Sequence, residues 1–244
     1  MPRIMSGIIT SMENFHRNKD LKTESFTTEG KEATLYLSED KDSPLIVFNN
    51  FEGDGRDVLE EIQKTGKREF NLLSVGNLEW DHDMTPWYCD PLSPQESPGT
   101  GGAGEYLKLL VEGILSEAVE RIQGKPSYIG LAGYSLAGLF ALYALYHTDV
   151  FQRAASMSGS LWYPDFKQYA LTHPLRIKPE RLYISLGDKE AKTKHPLLKT
   201  VQENTEELVD FYRKAGIDVT WELNPGNHFK NAVQRSAKGI AALI

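Results

Sequence analysis

Apolar and polar residues alternate over Thr23–Thr27 and again over Ala33–Leu37, the period-2 pattern of half-buried strands. The two segments predict an antiparallel pair at the start of a sheet, followed by a turn at Asp40–Pro44. Beyond that turn the pattern changes. Leu45–Phe48 and Phe70–Val75 are short, nearly continuous apolar runs, and similar runs recur at Tyr128–Leu131, Ala154–Met157, Leu182–Leu186 and Val219–Leu223. Such runs predict strands buried on both faces of a mostly parallel sheet. Helical periods lie between them. Leu107, Leu110, Val111, Ile114, Ala118 and Ile122 share one helix face that stops at Gly124, and a second helix is predicted from Pro196 to Ala215 with Leu197, Val201, Leu208 and Phe211 inward and Gly216 as its stop. Strand and helix in alternation imply an α/β fold with helices on both faces of the sheet. The stretch Trp80–Gly104, rich in Pro, Gly, Asp and aromatics, is long for a connection inside a domain and is expected to be an active-site loop.

Length and composition narrow this picture. At 244 residues, 40% hydrophobic and 25% charged, residues 1–244 are expected to form one domain that needs no disulfide or structural metal. A net charge of −7 with both signs interspersed speaks against nucleic acid as a partner. The lone cysteine, Cys89, suits a reducing compartment, and a cytoplasmic location is expected. Met1–Thr10 carries Arg3 but lacks an apolar run of about 7 or more residues ahead of a cleavage site, so it reads as mature protein. The densest apolar stretch, Leu136–Tyr146, is about half the ~20 residues of a membrane span.

Chemistry is most legible at Gly133-Tyr134-Ser135-Leu136-Ala137-Gly138. It places a serine where a buried strand turns sharply into an apolar helix, the setting of a nucleophile elbow, in which small residues two before and two after the serine let strand and helix approach. The alternative is a structural serine capping the helix. A nucleophilic serine needs a base. In the order Ser, acid, His, the histidines after Ser135 are His147, His173, His195 and His228. His147 ends the elbow helix, where a cation favours the dipole, and His173 and His195 precede prolines in linking segments. His228 follows the last strand-like run in Asn224–Phe229 and is the expected base. The acid is expected on the loop after Leu182–Leu186, where Gly187-Asp188-Lys189-Glu190 offers two carboxylates. A turn at Gly187 returns the fourth residue to the strand edge and favours Glu190 over Asp188, with a solvated charge pair to Lys189 as the plain alternative.

Oxyanion donors are assigned to the backbone of Leu136 and of Phe51 or Glu52, after the first buried parallel strand. Trp80, Trp87, Tyr88 and Trp162 are expected to line a substrate pocket. Gly99–Gly104 satisfies G-x-G-x-x-G but follows a proline-broken loop instead of a strand, so no dinucleotide is expected. Asp81-His82-Asp83 lacks a second ligand cluster and no metal is expected.

The stretches Gly130–Ala141, Ser158–Trp162, Gly187–Glu190 and Asn224–Phe229 resemble the putative-esterase family of α/β-hydrolases, the group related to enterobactin-type trilactone siderophore esterases, esterase D and the mycolyltransferases. Trp80–Tyr88 and the helix start at Gly101–Leu107 resemble its cytosolic bacterial branch. The resemblance implies the α/β-hydrolase fold, Ser135 as nucleophile, His228 as base, Asp or Glu as acid, and a serine esterase without cofactor acting on a small-molecule ester. Thioester or small-peptide hydrolysis, or a non-catalytic binding role on the same fold, are the competing readings.

Overall fold

A computed structural model describes residues 22–67 and 69–244; Met1–Thr10 lies outside the described residues. In chain order the elements are β1 (Lys22–Thr28), β2 (Lys31–Leu37), β3 (Leu45–Asn49), α1 (Arg56–Lys64), β4 (Asn71–Gly76), α2 (Trp80–Asp83), β5 (Tyr88–Cys89), β6 (Gly99–Thr100), α3 (Ala103–Leu109), α4 (Ser116–Arg121), β7 (Ile129–Tyr134), α5 (Leu136–Ala144), β8 (Arg153–Met157), α6 (Phe166–Thr172), β9 (Arg181–Gly187), α7 (Val201–Lys214), β10 (Asp218–Asn224) and α8 (Ala232–Leu243). The main sheet has eight strands in the order β1-β2-β4-β3-β7-β8-β9-β10. The pairs β1–β2 and β2–β4 are antiparallel and all the others parallel, as the change of pattern at Pro44 implies.

Helices α1 and α8 cover one face over Ile46, Phe48, Leu72 and Tyr183, while α3 to α7 cover the other over Val47, Leu73, Leu131 and Ile184. The elbow helix α5 is buried nearly all round, which is why it lacks an amphipathic stripe. Asn49, Tyr134, Met157, Gly187 and Asn224 end adjacent parallel strands. Their loops therefore gather at the carboxyl edge of the sheet, the place where open α/β sheets bind ligands.

Four expectations change. Val219–Leu223 is not buried on both faces, because β10 is the outer strand, paired only with β9, and Leu223 is exposed. The helix predicted over 107–122 is interrupted by a π-helical stretch at Leu110–Leu115 between α3 and α4, which keeps Leu110, Ile114 and Leu115 buried. The helix predicted from Pro196 starts later. A 3-10 turn at Leu198–Thr200 precedes α7, and the amides of Leu197 and Leu198 donate to His195 Nδ1 at 3.3 and 3.4 Å, so Leu197 is only half-buried. Finally, the segment 80–104 contains α2 and a two-stranded antiparallel ribbon of β5 and β6, so its aromatics are held at defined places.

Candidate active site

Ser135 follows β7 directly and caps α5 with φ 59° and ψ −123°, a backbone conformation that non-glycine residues adopt only when neighbouring structure forces it. The force is visible. Ser135 N–H donates to Met157 O at 3.1 Å and Ser160 N–H donates to Ser135 O at 3.0 Å, while a Cβ on Gly133 would run into the backbone of Ala137. Ala137, at the position where Gly is commoner, is fully buried and occupies the room that Gly133 leaves.

The structure brings three of the expected side chains into line. His228 Nε2 lies 3.0 Å from Ser135 Oγ, and His228 Nδ1 lies 2.7 Å from Glu190 Oε2. With Nδ1–H donating to the carboxylate, the Nε2 lone pair is left to accept the serine proton. The loop after β9 turns through Glu190 N–H to Gly187 O at 3.0 Å, and Gly187 N–H donates back to Glu190 Oε1 at 2.6 Å. Asp188 points elsewhere: its Oδ1 accepts Gly226 N–H at 2.7 Å, a bond that holds its carboxyl below the usual range and ties the 225–228 turn to this loop.

Two further residues hold Glu190: Ser158, in a stretch the sequence already singles out, and Arg235, which sequence reasoning missed. Arg235 of α8 is 3% exposed and its Nη1 donates to Glu190 Oε1 at 3.2 Å, to Ser158 Oγ at 3.1 Å and to Tyr134 Oη at 3.3 Å. Ser158 Oγ donates to Glu190 Oε1 at 2.8 Å, and Tyr134 Oη donates to His228 O at 2.6 Å. Burial by itself would push the Glu190 carboxyl up, but the hydrogen bonds from His228, Ser158 and the Gly187 amide hold it below the usual carboxylate range. The only trace of Arg235 in the sequence is a charge on the apolar face of a helix.

Leu136 is the first residue of α5, so its amide is one of the donors that a helix leaves unpaired at its start. On the loop after β3, Asn50 N–H is committed to Val75 O at 2.8 Å, and Asn50 Nδ2 donates to Glu52 O at 2.7 Å. Neither Phe51 N–H nor Glu52 N–H donates a hydrogen bond among the described residues. Phe51 borders a cavity with Ser135, and Glu52 does not.

Ser135 and His228 face two cavities. One, of about 470 Å³, is lined by Trp80, Asp81, Asp90, Glu96, Trp162 and Tyr163 among others. The other, of about 410 Å³, lies toward α1 and α8 and is lined by Phe48, Phe51, Val58, Tyr134 and Val233 among others. Of the four expected pocket aromatics, Trp80 and Trp162 border the larger cavity, and Trp87 and Tyr88 do not. Trp87 turns inward, with Nε1–H donating to Pro164 O at 2.9 Å and its ring against Tyr163 and Tyr169; Tyr88 is exposed and donates to Asp90 Oδ1 at 2.9 Å. Trp87→Ala is therefore expected to lower stability by about 2 kcal/mol, or ~4–8 °C in Tm, and to affect every ester alike. Thermal melts beside a two-ester assay check this, and an unchanged Tm with altered ester preference would contradict it.

The other candidates have structural employment. Asp83 pairs with Lys31 at 2.6 Å and His82 Nδ1 lies 2.7 Å from Thr100 Oγ1. A side chain on Gly102 would collide with the His82 ring, so this glycine of the G-x-G-x-x-G stretch serves packing. His147 lies beyond the end of α5, its ring tilted 34° against that of Tyr143 and its Nε2 3.1 Å from Tyr169 Oη, and burial holds its pKa down. Cys89 is buried, and burial followed by Asp90 pushes its thiol up, opposite to what a nucleophilic thiolate requires.

Comparison with known proteins agrees with this architecture. The family model described as "Putative esterase" matches residues 76–228. The uncharacterized protein YbbA of Bacillus subtilis (strain 168) is 24% identical over 137 residues, a match spanning 55% of this chain and 55% of that protein, about half the length of each. The siderophore hydrolase EstA from Aspergillus nidulans superposes with a TM-score of 0.73 at 16% identity, covering 100% of this chain and 98% of that one. An IroE-like serine hydrolase from Shewanella oneidensis gives 0.71 at 16% identity over 91% of this chain and 79% of its own.

Proposed function

The chain belongs to the "Putative esterase" family, and from that premise we propose that it hydrolyses small-molecule carboxylic esters through an acyl-enzyme on Ser135. The observation that carries the reading is the continuous chain from Ser135 Oγ to His228 Nε2 at 3.0 Å and from His228 Nδ1 to Glu190 Oε2 at 2.7 Å. His228 takes the serine proton as Oγ attacks the ester carbonyl. Glu190 holds the imidazole tautomer and stabilises the imidazolium, with Arg235 and Ser158 fixing its carboxylate. The developing oxyanion is met by the amides of Leu136 and Phe51, the former backed by the positive end of α5. His228 then protonates the departing alkoxide, and water activated by the same ring releases the acid. All these groups come from the described residues, and the step needs no metal or cofactor.

The substrate class follows less directly. The Aspergillus neighbour is described as a siderophore hydrolase, which supports siderophore-type esters, and the aromatic lining of Trp80 and Trp162 supports aromatic acyl esters. The organisation of residues 1–244 as one hydrolase domain belongs to the same proposal, supported by the sheet that joins β1 to β10. A cytoplasmic location belongs to it too, supported by the free Cys89. No helix among the described residues is long and apolar enough to cross a membrane.

A fluorophosphonate probe tests the central claim. Stoichiometric labelling located at Ser135, abolished in His228→Ala, is the expected result. A folded protein that takes no label and hydrolyses no nitrophenyl ester would instead be a binding protein on the hydrolase fold.

A further inference from the structure

Ser135 and His228 do not sit at the bottom of one pocket. They stand with Trp80 and Phe229 on the partition between two cavities, since these four residues line both. An acyl-transfer site built this way holds an ester across the partition, with the scissile carbonyl at Ser135 and a substantial group on either side. About 410 Å³ on one side and about 470 Å³ on the other are each within the range of ordinary small-molecule sites.

The two cavities differ in chemistry. The smaller is walled by Phe48, Val58, Tyr134 and Val233, with Asp57 as the one carboxylate in its lining among the described residues. The larger carries Asp81, Asp90 and Glu96, in addition to Glu190, and among the described residues no lysine or arginine lines it. None of those three carboxylates makes an ion pair among the described residues. Asp81 is half-buried and feels Glu96, since burial, followed by the charge of Glu96, pushes its carboxyl up, while Asp90 and Glu96 are exposed at the rim and Asp90 Oδ1 accepts from Tyr88 Oη at 2.9 Å. The same cavity presents the rings of Trp80, Trp162, Tyr163 and Phe229. Aromatic faces beside carboxylates that make no ion pair among the described residues form the surroundings that bind an ammonium group, whereas an anion would enter against like charge.

We propose that the ester this site takes is bipartite, with an apolar half seated between α1 and α8 and an ammonium-bearing half in the cavity lined by Asp81, Asp90 and Glu96. The proposal rests on the reading of Ser135 as nucleophile, and names the substrate class for it. The cation meets carboxylates that no lysine or arginine pairs with among the described residues, and Phe229, 85% exposed and edge-on to His228 at 5.3 Å, stands at the junction between the halves. An anionic ester meets the opposite electrostatics.

Two matched pairs of esters test this. Hexanoylcholine and 3,3-dimethylbutyl hexanoate place the ammonium, or its neutral carbon isostere, in the alcohol half; hexyl 4-(trimethylammonio)butyrate and hexyl 5,5-dimethylhexanoate do so in the acyl half. In at least one pair kcat/KM is expected to favour the cation about 10-fold or more at low salt, with the ratio falling as ionic strength rises. Hexanoyl glycolate, the anionic counterpart, is expected to be the poorest of the set. In Glu96→Gln the cationic-to-neutral ratio is expected to drop several-fold, and in Asp81→Asn combined with Glu96→Gln to approach one. Glu96 is exposed, so the single variant stays folded even where the double does not. Ratios at or below one in both pairs, with Ser135 still labelled by fluorophosphonate, would overturn the proposal and leave the nucleophile standing. Absence of labelling and of nitrophenyl ester hydrolysis would remove the reading beneath it.

Discussion

Ser135→Ala and His228→Ala are each expected to lower kcat by about 10⁴-fold or more, and the double variant to be little worse than either single. The reason is that the two side chains perform one act. Without Nε2 at 3.0 Å the hydroxyl keeps its proton, and without the hydroxyl the imidazole has no nucleophile to activate. The fold is expected to survive both changes. His228 holds Tyr134 Oη through its backbone carbonyl, which alanine retains, and Ser135 is held by its own backbone bonds to Met157 and Ser160. Steady-state kinetics on a nitrophenyl ester, with melting curves for all three variants, check the pairing. Losses that multiply in the double variant would show that the residues act independently.

Glu190→Gln is expected to cost about 10² to 10⁴ in kcat, since an amide cannot stabilise the imidazolium and its NH₂ can donate to Nδ1 and so favour the wrong tautomer. Asp188→Asn is expected to cost less than about 10-fold, because the amide oxygen of asparagine can still accept the Gly226 N–H that Asp188 now binds at 2.7 Å. Glu190→Gln also leaves Arg235, 3% exposed, without its charge partner, and loss of one member of a buried pair costs about 3–5 kcal/mol. A lower Tm should therefore accompany the lower kcat, whereas Asp188→Asn should leave Tm nearly unchanged. A large kinetic loss from Asp188→Asn with little from Glu190→Gln would transfer the role of acid to Asp188.

The pieces of this site that sequence reveals are those whose geometry is local. Gly133, Ser135 and Ala137 lie within one tight turn, and the collision that keeps Gly133 small comes from a residue four positions on. The return of Glu190 to the strand edge is equally short-range, through the bond from its own amide to Gly187 O. Strand identity is legible for the same kind of reason, since a parallel strand covered on both faces needs a nearly unbroken apolar run. That rule misleads at β10, whose place at the outer edge depends on the order of strands and not on its own residues.

Long-range placement accounts for what sequence could not supply. Arg235 meets Glu190 across 45 positions and Ser158 across 77, and Ser158 meets Glu190 across 32; no periodicity encodes such encounters. Trp80 and Trp87 are alike in composition and only seven positions apart, yet one borders the catalytic cavity and the other donates to Pro164, because the turn of α2 and the β5–β6 ribbon aim them differently. By itself, then, the sequence determined the α/β class and the strained turn at Ser135, both consequences of steric and hydrophobic rules acting over a few residues. Tertiary structure decided which buried cation meets Glu190, which aromatics border the cavities at Ser135, and that Ser135 stands between an apolar cavity and one lined with carboxylates, because these depend on where strands far apart in the chain bring their loops together.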